Sequence, residues 1–367
     1  MNHKKIRAAG VGALIAVWAV LTGFAWFGPV EKDSEAERRP LAQFPELSSQ
    51  ALLLGDFMEQ FEEYTLDQFP LRDRFRGLKS LFHYYVLGQR DNNGIYIADG
   101  YAAKMEYPLE EKSLERALER FNYVYEKYLK DKGSTVFVSV IPDKGYYLAQ
   151  SHGYLAMDYE RLFSEVKAGM PFAAYVDITD CLTTEDYYYT DTHWRQERIL
   201  PVAQKLCAAM GVTAPKAGDF TKTPMERPFY GVYYGQAALP MDPETMYIME
   251  SSLLSACTVY NHTTGKTTAV YDMGSLYARD QYDIFLSGAQ SLLTIKNPNA
   301  GTDRGLIVFR DSFGSSLVPL LLQDYGEVTL VDIRYINAQM LDRYVDFQGQ
   351  DVLFLYSTLV LNRNLIK

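Results

Sequence analysis

Acyl chemistry at a serine needs three side chains: a hydroxyl exposed at a turn, an imidazole to take its proton, and a carboxylate to fix that imidazole. Two stretches of this sequence supply them. The first is Tyr187-Tyr188-Tyr189-Thr190-Asp191-Thr192-His193-Trp194, with Asp191 two residues before His193. In an extended loop that pair can point the same way and leave Nε2 free to accept a proton. The second is Leu306-Ile307-Val308-Phe309-Arg310-Asp311-Ser312-Phe313-Gly314-Ser315-Ser316. Its four apolar residues read as a buried strand, followed by a polar turn and then by Leu317 to Leu322, which reads as a helix. A serine at a strand-to-helix turn, here Ser312, is held out of the core where free backbone N–H groups can hold an oxyanion. Each piece also has a plain reading. Asp-Ser ahead of an apolar helix is an ordinary cap, and a histidine beside a tryptophan is often a packed core residue. Asp191 and His193 could instead ligate a metal, with Glu185, Asp186 or His152 as third ligand, although no recognised spacing joins them. The leading expectation needs no metal and no other cofactor.

These residues must be carried by a scaffold. Thr135 to Ile141, Ala173 to Ile178, Leu306 to Phe309, Val328 to Ile333 and Val352 to Tyr356 read as strands, and they alternate with helical stretches. The clearest helix is Leu109 to Lys132, with Leu114, Ala117, Leu118, Phe121, Val124, Tyr125 and Tyr128 as its stripe and Gly133 placed to stop it. A helix from Gln196 to Met210, closed by Gly211, follows the Asp191 motif. Such alternation implies an α/β fold with a mainly parallel sheet covered on both faces, whose ligands collect beyond the carboxyl ends of the strands. Lys144, Asp191, His193, Ser312 and Arg334 all fall just past an expected strand end. From Pro240 to Ala300 the pattern turns to alternating Tyr- and Thr-rich segments, read as a small antiparallel insertion. Nearer the N-terminus, Ser48 or Ser49 caps a helix carrying Leu52, Leu53, Phe57, Phe61 and Tyr64. Asp73 to Leu87 reads as a second, with Phe75, Leu78, Leu81, Phe82 and Tyr85 at helical spacing. Asn93-Gly94 reads as a turn of a small hairpin around Ile95-Tyr96-Ile97.

The chain of 367 residues is long enough for a real core and is acidic, with a formal net charge of −10. Lys4, Lys5 and Arg7 precede Ala8 to Val30, a run without charge that suffices to cross a bilayer once. The basic flank predicts that residues 1 to 7 stay cytoplasmic and that the rest lies outside. A cleaved signal peptide is the competing reading, and it exports the domain as well. The expected organisation is a cytoplasmic tip and signal anchor over 1–30, a juxtamembrane linker over 31–47 and one extracytoplasmic domain over 48–367. Beyond residue 30 the other 33 basic side chains face all 46 acidic ones, which argues against nucleic acid as a partner. Three cysteines, Cys181, Cys207 and Cys257, allow one disulfide at most and read as core residues. The 29 tyrosines suit sugar faces and hydroxyls, although most must simply pack.

Asp-Thr-His-Trp preceded by Tyr-x-x-Thr, with the later strand-Arg-Asp-Ser-Phe-Gly turn, resembles the alginate O-acetyltransferase-like and DHHW-type proteins of the SGNH-hydrolase-like superfamily. Further segments agree: Glu37-Arg38-Arg39-Pro40-Leu41 to Pro45, Asp67-Gln68-Phe69-Pro70-Leu71-Arg72-Asp73, Asn93 to Tyr96, Pro142-Asp143-Lys144, and Tyr282 to Gly288. The likeness spans nearly the whole exported part. It implies a flavodoxin-like SGNH fold in which Ser312 carries the acyl group, His193 is the base and Asp191 its orienter, in the order Asp, His, Ser. Thr192 takes the second position of the DHHW motif.

The family tends to place an Asn after the glycine of Leu286-Ser287-Gly288, and this chain has Ala289, which offers no side-chain donor. The N–H groups of Ser312 and Gly288 are then the expected oxyanion donors. Losing one donor typically costs on the order of a hundredfold in rate. Gly288, Arg310, Gly314, Arg334, Lys144 and Trp194 are the candidates to shape the oxyanion hole or touch substrate, with Arg334 and Lys144 gripping an anionic sugar or remaining salt-bridged. The implied activity is O-acetyl transfer, or acetyl-ester hydrolysis, on hydroxyls of a cell-surface or secreted polysaccharide. The implied donor partner is a multi-spanning membrane-bound O-acyltransferase. The alternative is a non-catalytic glycan-binding or assembly protein of such a system.

Overall fold

The structure, a computed structural model, describes residues 3–366. Met1 and Asn2, the start of the expected cytoplasmic tip, lie outside the described residues. Two compact units are formed: residues up to Asn92 together with Tyr234–Pro240, and Asn93–Tyr233 together with Met241 onward.

In the first unit, α1 (His3–Phe27) contains an apolar span, Lys5–Phe27, of mean hydropathy 2.0, with none of it buried inside the protein. By length and composition it is a candidate membrane anchor or signal sequence. The linker that follows is ordered. Strands β1 (Asp33–Ser34) and β2 (Arg39–Pro40) pair antiparallel, and Arg39 makes a two-pronged ion pair with Asp67 at 2.7 and 2.5 Å. Ser48 caps α2 (Ser49–Leu54) by accepting from the Ala51 N–H at 3.1 Å. Gly55, at φ 86°, then splits the expected single helix and starts α3 (Asp56–Asp67). Helix α4 (Arg72–Leu81) runs on through one π-helical turn, Phe82–Val86, and stops before Gly88 at φ 68°. The apolar stripe read here at helical spacing is exposed at Phe75, Leu78, Phe82 and Tyr85.

The second unit begins with a hairpin of β3 (Ile95–Ala98) and β4 (Tyr101–Lys104). The expected turn at Asn93-Gly94 is present, both residues at positive φ (54° and 71°), and leads into β3, while the hairpin itself closes at a second such turn, Asp99-Gly100 (49° and 83°). Both dipeptides suit the left-handed pair that a tight two-residue turn needs. Helix α5 (Glu111–Val124), with a π turn to Leu129, buries Leu114, Ala117, Phe121, Val124 and Tyr128. Strand β5 (Val136–Ile141) is buried at every residue, as a central parallel strand should be. It leads to the short α6 (Lys144–Leu148), capped by Asp143, and then to α7 (Tyr159–Gly169).

Of the strand expected over Ala173–Ile178, only β6 (Ala174–Tyr175) pairs, along one side of β5. Helix α8 (Leu200–Met210) follows a 3-10 turn at Gln196–Arg198 and ends at Gly211, φ 65°. Strands β7 (Thr221–Pro224) and β8 (Tyr247–Glu250) form their own ribbon, with α9 (Val232–Ala237) between them in sequence and α10 (Ser252–Ala256) after them. Then come β9 (Thr258–Asn261), β10 (Lys266–Thr268), β11 (Leu292–Lys296), β12 (Arg304–Arg310), the one-turn α11 (Gly314–Leu317), β13 (Tyr325–Val331), β14 (Asp351–Ser357) and α12 (Thr358–Leu361).

The eight-stranded sheet has the order β10-β9-β11-β13-β12-β14-β5-β6. From β13 to β6 every pairing is parallel, whereas β10, β9 and β11 extend the sheet antiparallel. The Pro240 to Ala300 region is antiparallel as expected, and its β9 to β11 are added to one side of the main sheet. One face, with Phe309, Val138 and Phe354, packs under α5 and α7, and the Phe121 ring lies 5.2 Å from Phe354 and 5.1 Å from Tyr356. The opposite face, with Val308, Leu353 and Leu355, packs under α8. The helix expected over Leu317–Leu322 is also corrected. It is α11 followed by a 3-10 turn, Val318–Leu321, because Pro319 has no N–H to give the preceding turn and its ring crowds it.

Candidate active site

Strand β12 ends at Arg310, and the next two residues set the geometry of the turn. Asp311 is fully buried. One carboxylate oxygen accepts from the Phe313 N–H at 3.0 Å and the other from the Ser357 N–H, at the end of neighbouring β14, at 2.7 Å. The turn is thus stitched to two adjacent parallel strand ends, and Ser312 stands half-buried at its crest.

His193 Nε2 lies 2.8 Å from Ser312 Oγ, and His193 Nδ1 lies 2.6 Å from Asp191 Oδ1. With Nδ1–H donating to the carboxylate, Nε2 is left to accept the serine proton. Asp191 is fully buried and its oxygens are well supplied: Oδ1 also accepts from the His193 N–H at 3.0 Å, and Oδ2 from the Val232 N–H at 2.8 Å. A carboxylate so bonded is held in one orientation. Gly231 makes this approach possible, since a Cβ there would meet the Asp191 backbone at 2.3 Å. The motif loop is braced from two sides. The Glu244 carboxylate accepts from the Thr190 N–H and hydroxyl, both at 3.0 Å, and the buried Lys144 ammonium donates to the carbonyls of Tyr188 at 2.8 Å and Tyr189 at 3.3 Å. Burial lowers the Lys144 pKa to about 7 against the attraction of Glu244, Asp191 and Asp143, and burial raises that of Glu244.

Several of the candidates for the oxyanion hole or substrate contact are engaged by the protein itself. Lys144 is spent on the Tyr188 and Tyr189 carbonyls. Arg334 is locked on Asp332 through two side-chain bonds, at 2.9 and 2.6 Å, so the salt-bridged alternative holds. Trp194 is fully buried and donates Nε1–H to the Phe313 carbonyl at 3.1 Å and to Ser316 Oγ at 2.9 Å. Arg310, also fully buried, donates to the carbonyls of Gly288 at 3.2 Å and Asp311 at 3.3 Å; burial lowers its pKa while Asp332 opposes. Gly314 gives its N–H to the Asp311 carbonyl at 3.1 Å, and its missing Cβ makes room for the Arg310 stem, which a methyl would meet at 2.8 Å.

The Gly288 N–H, an expected oxyanion donor, is given to the Phe285 carbonyl at 3.0 Å. The N–H groups of Ser312 and Ala289 have no protein acceptor among the described residues. Leu286, Ser287 and Gly288 all have positive φ (53°, 56° and 78°), and a Cβ on Gly288 would meet Asp283 Oδ1 at 2.0 Å. The loop carrying Ala289 is therefore a strained, closely fitted turn.

Side-chain chemistry alone did not single out Tyr282. Its ring stacks on His193 with centroids 3.9 Å apart and planes 8° apart, while its hydroxyl donates to Ser316 Oγ at 2.7 Å. Its presence in the Tyr282 to Gly288 segment was the available signal. Gln196 was missed as well. It donates to the Ser316 carbonyl at 2.8 Å and accepts from the Met249 N–H at 2.9 Å, tying α11 to β8. Of the candidate third metal ligands, Asp186 caps Thr183 and His152 bonds Asp99 at 3.1 Å. Among the described residues no three His, Cys, Asp or Glu side chains cluster to hold a metal ion.

A five-strand parallel core, a serine turn at a strand end, and a histidine and aspartate brought to it define an SGNH-like α/β protein with a Ser-His-Asp arrangement. Residues 174–331 match the family model described as DHHW protein, and that span includes Asp191, His193, Gly288 and Ser312. The likeness to DHHW-type proteins is thus established. Among solved structures, a DHHW family protein from Eubacterium siraeum is similar at 22% identity and a TM-score of 0.59, covering 74% of this chain and 93% of that one. Bacillus cereus PatB1 with a sulfonyl adduct is similar at 18% identity and TM-score 0.59, covering 74% and 97%. The O-acetyltransferase domain of Pseudomonas putida AlgJ aligns at 13% identity and TM-score 0.44, covering 75% and 93%. The likenesses to the Eubacterium siraeum protein and to PatB1 show the fold. No curated protein matches the sequence.

Proposed function

We propose that the protein is an extracytoplasmic O-acetyltransferase, or the corresponding esterase, acting on hydroxyls of a cell-surface or secreted polysaccharide. The observation that carries this reading is the continuous hydrogen-bonded line from Asp191 through His193 to Ser312, at 2.6 and 2.8 Å. Ser312 Oγ attacks the carbonyl of an acetyl donor while His193 Nε2 takes its proton. The tetrahedral intermediate collapses, the donor's oxygen leaves with that proton, and acetyl-Ser312 remains. A sugar hydroxyl then gives its proton to His193, takes the acetyl group and frees Ser312, which is reprotonated; water in place of sugar gives hydrolysis. Asp191 stabilises the imidazolium formed in each half.

With the Gly288 N–H spent, Ser312 and Ala289 offer the oxyanion donors. The AlgJ domain is described as an O-acetyltransferase, and PatB1 of the same fold takes a sulfonyl adduct. An acetyl donor outside the cell calls for a membrane-bound O-acyltransferase that passes acetyl groups across the bilayer, with α1 as the anchor beside it.

The test is the intact mass of the full chain in detergent after incubation with 4-nitrophenyl acetate, or with a sulfonyl fluoride. The expected result is one added group on wild type, absent from Ser312→Ala, with nitrophenol release lost in Ser312→Ala and His193→Ala. Equal behaviour of all three proteins would overturn the nucleophile and leave the glycan-binding alternative, which Ser312→Ala would not weaken.

A further inference from the structure

The exposed stripe on α4 is an unusual surface for a protein in water. Leu71, Phe75, Leu78, Phe82 and Tyr85 recur at spacings of four, three, four and three, and they are 62, 44, 63, 49 and 70% exposed. At the helical turn angle they fall within an arc of about 80° on one side of the rod. The opposite side is anchored, with Ser80 buried. Arg74 and Lys79, both exposed, fall on either flank of the stripe. An apolar face bordered by long basic side chains is the pattern of a helix lying in a membrane surface, where the chains reach out to lipid phosphates.

The position of α4 within its unit points to the same occupant. The Glu31 N–H donates to the Gln68 side chain at 3.0 Å, and Gln68 donates back to the Glu31 carbonyl at 2.8 Å. Glu31 is four residues beyond Phe27, the last residue of α1, so at most about 14 Å of chain separates them. Gln68 is four residues before Arg72, where α4 begins, and Arg72 is held by Glu37 at 2.5 Å. At the end of α1 itself, Trp26 lies 6.3 Å from Phe61 of α3, in a cluster with Phe44 and Phe57. Aromatic rings of this kind collect where hydrocarbon meets water.

We infer that α4 and its π-helical extension are a second, interfacial membrane contact, lying in the headgroup zone beside the span made by α1. The inference rests on reading α1 as an anchor. A second copy of the chain laid along the same stripe is the competing occupant, and the test separates the two.

The full chain is reconstituted into vesicles of phosphatidylcholine and phosphatidylglycerol, with Cys181→Ser removing the half-exposed thiol. Spin labels are placed at Leu78→Cys or Tyr85→Cys, with Val17→Cys in α1 and Lys112→Cys on α5 as references. All four positions are exposed in the protein, so the fold is not at stake. The expected result is a several-fold higher ratio of oxygen to nickel-complex accessibility at positions 78 and 85 than at 112. Ratios at 78 and 85 equal to that at 112 overturn the inference, and so does shielding from both reagents, which a protein partner would produce. Position 17 reports separately: a lipid-like ratio there with aqueous values at 78 and 85 sinks this inference alone, whereas aqueous values at all three sink the anchor reading too.

Discussion

At the scale of single residues, the working groups are chemically simple and their surroundings do the rest. The Asp191 carboxylate accepts from the His193 ring and from the His193 and Val232 N–H groups, so Asp191→Asn would turn an amide NH2 toward at least one of these donors. It should lower kcat by roughly a thousandfold or more with the fold intact, as loss of the orienting carboxylate does in other triads; single-turnover acetylation measures it. Tyr282→Phe keeps the stack on His193 and loses only the bond to Ser316, whereas Tyr282→Leu loses both. Acetylation should therefore fall roughly tenfold further in the leucine variant, and equal rates in the two would remove the stack from the mechanism.

Lys144 supplies a pH test. Its folded pKa of about 7 lies below its ordinary value, so above pH 7 the unfolded chain binds more protons than the folded one. The cost of burying Lys144 is complete below pH 7 and is relieved as pH rises towards its unfolded pKa. Wild type should thus gain stability relative to Lys144→Met by up to about 1.4 kcal/mol per pH unit between pH 7 and 10, in denaturant melts. Asp191, His193 and Ser312 were legible because their chemistry is in their side chains. Lys144, Arg310, Gly314, Trp194 and Arg334 were placed near the site as candidates for the oxyanion hole or substrate, and their partners were not legible because the backbone carbonyls and carboxylates that claim them are fixed only by tertiary structure.

At the scale of elements, periodicity identified what would form and not what it would meet. The α5 stripe packs as its spacing demands, and Phe121→Ala should cost about 3–5 kcal/mol in a chemical melt, because its ring is buried against both Phe354 and Tyr356. The α4 stripe has equally good spacing yet faces outward, since spacing says nothing about whether protein or lipid supplies the cover. Strands β9 to β11 read as antiparallel from their alternation, but the pairing of β11 with β13, through Leu293 opposite Leu330 and Ile295 opposite Val328, joins segments too distant for local pattern to reveal. Gly231 is another long-range requirement. Gly231→Ala should impair acetylation and stability together, because the added methyl presses on the Asp191 backbone.

For the whole molecule, an acidic chain behind a basic N-terminus and one long apolar helix predicts an orientation that can be checked. A membrane-impermeant amine reagent applied to intact cells should modify lysines such as Lys112 and leave Lys4 and Lys5 untouched until detergent is added.

The sheet order carries a consequence for how the chain is made. Strand β5, six residues all destined for burial, has β14 on one side and only the two-residue β6 on the other. Residues 351–357 are synthesised long after residues 136–141, so β5 waits through all the intervening synthesis as a mostly apolar strand lacking its principal neighbour. Such late closure is slow and invites pairing with other nascent chains. Truncation just before residue 351 should therefore yield aggregates rather than a shortened folded protein, and a holdase acting during synthesis should raise the yield of the full chain.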